Sequence, residues 1–555
     1  MPAAPRSWRL VEPEPGEDEL TDHPLSVGMT IPAGRPRQAR RAAAASPAAA
    51  AASRPGGRGK PGGRRGLAAE RPRQARRPAE VVPVVQWPQV TVDWNRWLRR
   101  EKPTMETQFD RRTLLTSALV AGGAMALPFV FNDTARAVVK GSNASTATAA
   151  GSAIELFADP SLNFQALFAL SAASYNASEL GEVLATIDQI HAKGDSYAAF
   201  YQAFLERGEE LRTRAESFMR GGHAVSAREA YMRAASYFDQ ALYFVLASSN
   251  PTREHEGEVY KKMDGCWRAA ARLFTPRFEY VRIPYRSTKL PGWLLTPAGP
   301  NRRRPTIILN NGSDAQNIDL YVYGGRAALE RGWNAFIFEG PGQGSNLFLR
   351  NMPFTVEWEH VVSSVIDVLA GRPDVSRDRI ALMGWSFCGL SVVRAAAYER
   401  RIAALVADPG VVSDFTKWEQ ALGPQLLALL DSGNKTEFNA VWDKVFAGLP
   451  TEEQFTIQKR SEIFGQGSFY DRMRLAQQFT LSQSTISRVK APTLVIEADE
   501  EQFVPGQARE LYKQLGSRKK LLTFTAAEGA QFHCEPMAPQ LRNELMFNWL
   551  EDTLG

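Results

Sequence analysis

The hexapeptide GWSFCG, Gly384–Gly389, places a serine where it could act as a nucleophile. An apolar, β-prone segment, Arg379–Met383, precedes it, and a stretch rich in Ala, Val and Leu with helical spacing follows it. A strand, a tight turn that holds a serine and a helix form a nucleophile elbow, in which small residues are needed on both sides of the serine. Gly384 meets that need, whereas Cys388 stands where a second glycine is usual. The pattern predicts Ser386 as a nucleophile, and a plain strand-to-helix connector is the alternative.

A serine hydroxyl needs a base to take its proton and an acid to orient that base. The only histidine downstream of Ser386 is His533, in a loop between the last predicted strand and the last predicted helix. The acid should follow the next-to-last predicted strand, where an acid four residues before a proline selects Glu501. Asp499 and Asp408 are the alternative acids, and a merely solvated acidic loop is a further interpretation.

A tetrahedral intermediate also needs two N–H donors aimed at its oxyanion, and losing one such donor costs ~10²–10³ in rate. Phe387, the residue after the nucleophile, should supply one donor. The loop after the third predicted strand, residues 310–314, should supply the other from Gly312 or Ser313. The glycine-rich loop at 339–344 lacks the pattern of a phosphate-binding loop, and we interpret it as a tight turn in the pocket wall.

Strands and helices alternate from residue 277 onward, which predicts an α/β fold with a doubly wound sheet. The predicted strands are 278–284, 291–296, 306–309, 335–338, 380–383, 403–406, 492–498 and 521–524. Helical spacing interrupts this alternation between about 411 and 490 and predicts a helical lid over the carboxyl ends of the strands, where ligands bind in such sheets.

Residues 153–275 contain no convincing strand but five segments with helical spacing, separated by glycines and by Asn250-Pro251. They predict a helical domain of about five helices ahead of an α/β core at 276–555.

Basic charge is concentrated in residues 1–104, which hold 19 Lys and Arg against 10 Asp and Glu, whereas the rest of the chain has a net charge of −3. This segment is rich in Ala, Pro, Gly and Arg and repeats RPRQARR, so we expect a disordered basic leader. A nucleic-acid-binding arm is the alternative, but the body of the protein has no excess positive charge to support it. The next segment favours Met105 as the true start, with the leader arising from a mis-assigned start codon.

Residues 105–137 contain Arg111-Arg112, an apolar run and Ala135-Arg136-Ala137 in that order. This order is typical of a twin-arginine signal peptide and predicts export to the periplasm or beyond, with a linker at 138–152. A cytoplasmic location and a membrane anchor are the alternatives, although glycines and a proline in the apolar run argue against a permanent span. The chain has three cysteines, too few to imply a disulfide framework.

Several motifs together resemble one subgroup of α/β-hydrolases, which includes the 2,6-dihydroxypseudooxynicotine hydrolase, fungal polyketide-shortening hydrolases and esterases related to the fermentation-respiration switch protein. The motifs are EGPGQG at 339–344, GWSFCG at 384–389, PGQA at 505–508, GAQFHCE at 529–535 and HAVSAREAY at 223–231. The resemblance spans residues 153–555 and implies a Ser/acid/His hydrolase that cleaves an ester or, in some branches, a C–C bond beside a carbonyl. Cys388 and Glu501 depart from the usual pattern. An additional glutamate assists catalysis in the nicotine-degrading relative, and Glu419 is the nearest candidate here.

We therefore expect a serine hydrolase for a small, mostly apolar carbonyl compound, without a metal or organic cofactor. We expect no nucleic-acid partner and no stable membrane span after processing, and the sequence leaves the oligomeric state open, a homodimer included. A dipeptidyl-aminopeptidase-like peptidase and a non-catalytic binding protein on a hydrolase fold are the alternatives.

Overall fold

The part of the chain that the structure describes begins with helices and continues into a mixed sheet. The structure is a computed structural model and describes residues 154–300 and 302–555. The predicted leader at 1–104, the signal segment at 105–137 and the linker at 138–152 lie outside the described residues. Within the described ranges, no helix has both the length and the hydropathy that crossing a bilayer requires.

The first five long helices form the helical domain. They are α1 (Pro160–Ser171), α2 (Leu180–Lys193), α3 (Tyr197–Arg220), α4 (Ala224–Tyr243) and α5 (Arg253–Arg272). Side-chain caps explain several of the starts: Asp159 accepts two backbone N–H groups at 2.9 Å before α1, and Thr252 accepts the His255 N–H at 3.2 Å before α5. The five predicted helices are confirmed, and the fourth of them, α4, ends at Tyr243.

Eight strands form one sheet, and the predicted α/β fold is confirmed. The strands are β1 (Glu279–Tyr285), β2 (Thr288–Leu295), β3 (Arg304–Asn310), β4 (Asn334–Phe338), β5 (Val375–Trp385), β6 (Ala404–Asp408), β7 (Thr493–Ala498) and β8 (Lys519–Phe524). Their order is β1-β2-β4-β3-β5-β6-β7-β8. β3 to β8 are parallel, whereas β1 and β2 form an antiparallel hairpin at one edge. β2 begins three residues before its predicted start because Arg286, with φ of 48°, closes a tight turn directly after β1.

Helices cover the sheet between the strands. Before the lid they are α6 (Asn317–Leu320), α7 (Arg326–Glu330), α8 (Gly344–Phe348), α9 (Trp358–Ala370) and α10 (Cys388–Tyr398). The apolar spacing at 319–331 predicts a helix, and the structure has helical elements over 317–330 that are interrupted by a kink the sequence did not indicate. The chain breaks at Tyr323 and at Gly324, whose φ is 151°. The break directs the Tyr323 hydroxyl to Ser171 Oγ at 2.9 Å and to the Pro536 carbonyl at 3.0 Å, so it links α1 to the loop before the last helix.

Five further helices lie between β6 and β7, and we call them the lid. They are α11 (Thr416–Ser432), α12 (Lys435–Ala447), α13 (Thr451–Ser461), α14 (Phe469–Ala476) and α15 (Gln483–Ile486), and α16 (Gln507–Gln514) and α17 (Pro539–Leu554) follow in the core. A buried ionic cluster joins the lid to the helical domain: Lys459 Nζ lies 3.4 Å from Glu256 and 2.7 Å from Glu462, and Arg253 lies 3.0 and 2.9 Å from the same two carboxylates.

A buried ion pair joins the last helix to the middle of the sheet. Asp408, the last residue of β6, accepts hydrogen bonds from Arg542 Nε at 2.7 Å and Nη2 at 2.6 Å. Both side chains are fully buried. Glu535 lies beside them, and burial together with the charge of Asp408 raises its pKa well above the usual range. Burial therefore favours the protonated form of Glu535 beside this ion pair.

Replacing Arg542 should destabilise the protein strongly. In Arg542→Met the Asp408 carboxylate stays buried without its cation, and we expect the free energy of unfolding to fall by about 3–5 kcal/mol. The midpoint of urea unfolding, followed by tryptophan fluorescence, measures this loss. Arg326→Met is the matched control, because Arg326 pairs with Glu330 on the surface, where such pairs contribute about 0–1 kcal/mol. Equal losses in the two variants would contradict the prediction.

Candidate active site

Ser386 lies on a strained turn between β5 and α10. Its φ is 55°, in the left-handed region that residues with a side chain rarely occupy. Its backbone N–H donates to the Asp408 carbonyl at 2.6 Å. The turn is crowded: a Cβ on Gly384 would lie 2.2 Å from the Cys388 carbonyl oxygen, and one on Gly389 would lie 2.0 Å from that of Pro409. The glycines at 384 and 389 are therefore required by close backbone contacts.

Cys388 fits the position where a second glycine was expected. Its sulfur is buried and accepts weak hydrogen bonds from Asn310 Nδ2 and Gln343 Nε2, both at 3.6 Å. Burial raises the pKa of this thiol and also that of Cys534, so both stay protonated near neutral pH. Neither thiol is activated as a nucleophile.

His533 connects the serine to a carboxylate. Its Nε2 lies 2.9 Å from Ser386 Oγ, and its Nδ1 lies 2.8 Å from both carboxylate oxygens of Glu501. The backbone N–H of His533 donates to Gln502 Oε1 at 2.9 Å, which fixes the loop. Only 7% of the surface of His533 is exposed, so the imidazole is largely shielded from bulk water.

Glu501 is held as a carboxylate. Burial alone would raise its pKa, but His533 and the backbone N–H groups of Phe503 and Val504 outweigh burial and lower the pKa below the usual value. These N–H groups donate to Glu501 Oε1 at 2.9 and 3.2 Å. An ionised carboxylate on Nδ1 places the proton of the neutral ring there and leaves Nε2 free to accept a proton from Ser386.

The structure does not bring the other predicted carboxylates to the histidine. Asp499 is exposed and accepts a long hydrogen bond of 3.4 Å from the Ala526 N–H. Asp408 is committed to Arg542. Glu419, considered as an assisting residue, is exposed on the first turn of α11 next to the buried Trp418. Of the three proposed acids, only Glu501 contacts His533.

The loop after β3 lies directly against the serine. A Cβ on Gly312 would lie 2.7 Å from Ser386 Cβ and 2.8 Å from the Trp385 carbonyl oxygen. Phe387 directly precedes α10, so its N–H belongs to the helix start, where donors have no intrahelical partner. The Ser313 side chain is directed to Asp314, with its Oγ 3.0 Å from Asp314 Oδ2. The structure thus places Gly312 in close contact with Ser386, and Phe387 follows Ser386 at the start of α10.

Gln343, in the glycine-rich loop at 339–344, forms hydrogen bonds that hold the loop after β3 in place. Its Nε2 donates to the carbonyls of Asn311 at 2.5 Å and of Gly312 at 3.2 Å. Its Oε1 accepts the Gly340 N–H at 2.9 Å. Sequence reasoning treated the segment only as a tight turn. The only sequence signal for this role of Gln343 was that it is a single amide side chain in a segment of glycines and a proline.

Aromatic side chains surround the serine and the histidine. The Phe503 ring lies 4.8 Å from that of His533 and 5.6 Å from that of Phe164. Phe168, one turn after Phe164 on α1, lies 5.8 Å from the Trp385 ring. The helical domain therefore contributes an aromatic face to the site. The spacing of Phe164 and Phe168 was visible in the sequence, but nothing there indicated which element the pair would contact.

Comparisons with known proteins agree with this fold. No model of a known protein family matches the chain. Hydrolase LUC6 of a Fusarium species is 29% identical over 419 residues, which cover 72% of this chain and 98% of that protein. The 20-hydroxy-prefusarin hydrolase FUS2 of Gibberella moniliformis has the same identity and coverage. The solved structure of the 2,6-dihydroxy-pseudo-oxynicotine hydrolase matches with a TM-score of 0.51 at 20% identity, over 69% of this chain and 95% of that one.

The sheet, its helices and the likeness to this solved structure show that the chain has an α/β-hydrolase fold. Within that class it is similar to the subgroup that the sequence motifs indicated, the fungal polyketide hydrolases and the 2,6-dihydroxy-pseudo-oxynicotine hydrolase. The curated relatives are named hydrolases, and hydrolysis is the class of reaction that these names support.

Adding a methyl group at Gly312 should disable the site without unfolding the protein. In Gly312→Ala the new Cβ meets Ser386 and Trp385 at less than 3 Å, so the loop must move away from the serine. We expect kcat for a p-nitrophenyl ester to fall by about 10²–10³, with little change in melting temperature. Gly265→Ala in α5 is the control, since the space around its Cβ is open. Full activity in Gly312→Ala would show that the loop position does not matter.

Neutralising Glu501 should lower kcat far more than neutralising Asp499. In Glu501→Gln an amide faces Nδ1 and favours the tautomer with the proton on Nε2, so we expect kcat to fall by about 10³–10⁴. Asp499→Asn should leave kcat unchanged. A larger loss of kcat in Asp499→Asn would assign the acid differently.

The charge of Glu501 should also make the stability of the protein depend on pH. Because the folded-state pKa of Glu501 is lowered, its contribution to stability is present above the ordinary pKa of a glutamic acid and is lost as pH falls below it. The difference in the free energy of unfolding between wild type and Glu501→Gln should therefore shrink on acidification.

Proposed function

We propose that this protein is a serine hydrolase that cleaves a small carbonyl compound, with Ser386 as nucleophile, His533 as base and Glu501 as the orienting acid. The observation that carries the proposal is the unbroken hydrogen-bonded path from Ser386 Oγ through His533 to Glu501, at 2.9 and 2.8 Å. Nucleophile, base and acid within these distances are the arrangement that activates a serine.

In the first half of the reaction Ser386 Oγ attacks the substrate carbonyl carbon, and its proton passes to His533 Nε2. The imidazolium that forms is stabilised by the Glu501 carboxylate. The carbonyl electron pair moves onto oxygen, where the N–H groups of Phe387 and of the Gly312–Ser313 loop would hold the negative charge. Collapse of this intermediate expels the leaving group, which takes its proton from His533, and an acyl-enzyme remains.

In the second half, water attacks the acyl carbon while His533 Nε2 accepts a proton from it. The new tetrahedral intermediate collapses, Ser386 Oγ leaves and is reprotonated by His533, and a carboxylic acid is released. The leaving group of the first half decides the activity. An alcohol makes the enzyme an esterase, whereas an enol or a ketone carbanion that is protonated on carbon makes it a C–C hydrolase.

The surroundings of Ser386 support an apolar, aromatic or conjugated substrate. Phe503 contacts His533, and Phe164 and Phe168 of the helical domain extend the aromatic surface on both sides. Two relatives are named as a 20-hydroxy-prefusarin hydrolase and a 2,6-dihydroxy-pseudo-oxynicotine hydrolase. We propose that the substrate here is an aryl ester or a 1,3-dicarbonyl compound.

Labelling with a fluorophosphonate tests the mechanism directly. The full-length protein should form one covalent adduct on the peptide that contains Ser386, and it should hydrolyse p-nitrophenyl butyrate. Ser386→Ala should lose both properties, while Ser391→Ala, one turn further along α10, should keep them. Mass spectrometry locates the adduct. Absence of both adduct and hydrolysis in the wild type would refute the proposal and favour a binding protein. Product analysis with an aryl ester and an aryl 1,3-diketone then separates the two activities.

A further inference from the structure

Two neighbouring cations on lid helix α13 point to different parts of the molecule. Lys459 belongs to the buried ionic cluster with Glu256 of the helical domain, 3.4 Å away. Arg460 forms an ion pair with Asp314, in the loop that follows β3. Successive residues of a helix are rotated by about 100°, so one helix turn can contact both partners. α13 is thus fixed on the helical domain by one residue and reaches the active site with the next.

Asp314 connects Arg460 to the loop beside the nucleophile. Asp314 Oδ2 also accepts the Ser313 hydroxyl at 3.0 Å, and the Asp314 carbonyl accepts Gln316 Nε2 at 2.9 Å. Burial alone would raise the pKa of Asp314, but the charges of Arg460 and Lys459 outweigh burial and lower it. The carboxylate therefore stays charged near neutral pH, and the ion pair persists. Ser313 and Gly312, the candidates for the second oxyanion donor, are the residues immediately before it.

The same guanidinium contacts the acid loop. Its carbon lies 4.9 Å from the centre of the Phe503 ring, a cation–π distance. That ring packs edge-on against His533 at 4.8 Å, and the Phe503 N–H donates to Glu501 at 2.9 Å. Arg460 is therefore in contact with both the loop that should stabilise the oxyanion and Phe503, which contacts both Glu501 and His533.

We propose that Arg460 is a positioning residue of the hydrolytic site, through which the lid fixes the loop at 312–314 and the aromatic ring beside His533. The inference rests on the proposed serine mechanism and adds to it a requirement for the lid. Arg460 acts through Asp314 and Phe503 and does not itself contact the reacting atoms. In this proposal the lid helps to position the residues of the site, in addition to covering them.

A positioning role predicts a loss that appears in the transition state. Displacing an oxyanion donor or the base by about 1 Å lowers the rate by about 10², while the ground-state complex loses little. Arg460→Met should therefore lower kcat for p-nitrophenyl butyrate by about 10–100-fold, with KM nearly unchanged. The inhibition constant of an aryl trifluoromethyl ketone should rise by the same factor, because its adduct with serine carries the oxyanion.

A double-variant cycle tests whether Arg460 acts through Asp314. Asp314→Asn removes the carboxylate charge at constant shape, and Asp314→Asn combined with Arg460→Met removes both charges. We expect the double variant to be no slower than the worse single variant, since both changes break one contact. Arg460→Lys keeps the charge but lacks the planar fork, so it should recover part of kcat. Lys435→Met is the control, because it breaks a surface ion pair with Asp471 in the same lid.

The outcomes separate this inference from the proposed function. If the wild type forms no fluorophosphonate adduct, the serine mechanism fails and this inference fails with it. If the wild type is labelled but Arg460→Met keeps kcat, or raises KM alone, Arg460 is not a positioning residue. Losses that add up in the double variant would also overturn the proposal. If Arg460→Met does not fold, Arg460→Lys and the double variant, in which both charges are removed, replace it. A loss of kcat with KM nearly unchanged in these variants would support the positioning role, and unchanged kcat would overturn it.

Discussion

The structure depends on the contacts of Asp408, the last residue of β6. Its backbone carbonyl accepts the Ser386 N–H at 2.6 Å and lies 3.8 Å from the Cys534 sulfur, and its carboxylate holds Arg542 at 2.6 and 2.7 Å. One residue thereby joins the turn that holds Ser386, the loop that holds His533 and the last helix. Because the ion pair is fully buried, separating its charges is expensive. The arrangement of the three segments is correspondingly hard to change.

That rigidity allows the site to keep strained backbone. Ser386, Cys534 and Glu535 all have positive φ, at 55°, 61° and 49°, and such residues cost about 1–3 kcal/mol each. They persist only where the surroundings determine them, and here the surroundings are the ends of fully buried strands and the contacts of Asp408. The strain lies next to both Ser386 and His533. In this arrangement Ser386 Oγ and His533 Nε2 lie 2.9 Å apart.

Sequence reasoning predicted what depends on local pattern. Apolar spacing in the sequence predicts the alternation of strands and helices and the helical domain. The order of residues along the chain, and the position of an acid four residues before a proline, predict Ser386, His533 and Glu501 as candidate site residues. It could not predict contacts between distant segments. The pairing of Arg460 with Asp314 joins residues 146 positions apart, and neither local sequence favours that partner. The break at Tyr323 and Gly324 was missed for the same reason, since its cause is the packing of Tyr323 against α1 and the loop before α17.

Two carboxylates near the base are kept distinct by their cations. Asp408 is neutralised by Arg542, with which it shares two hydrogen bonds, so its charge is balanced at all stages of a reaction. Glu501 instead faces His533, which would become positively charged in the proposed proton transfer. The extra methylene of a glutamate lets both oxygens approach Nδ1 at 2.8 Å while Oε1 also accepts backbone N–H groups. A carboxylate already paired with arginine would stabilise an imidazolium less, because the arginine repels the new charge. The position of Arg542 therefore favours Glu501 over the more deeply buried Asp408 as the acid of the proposed mechanism.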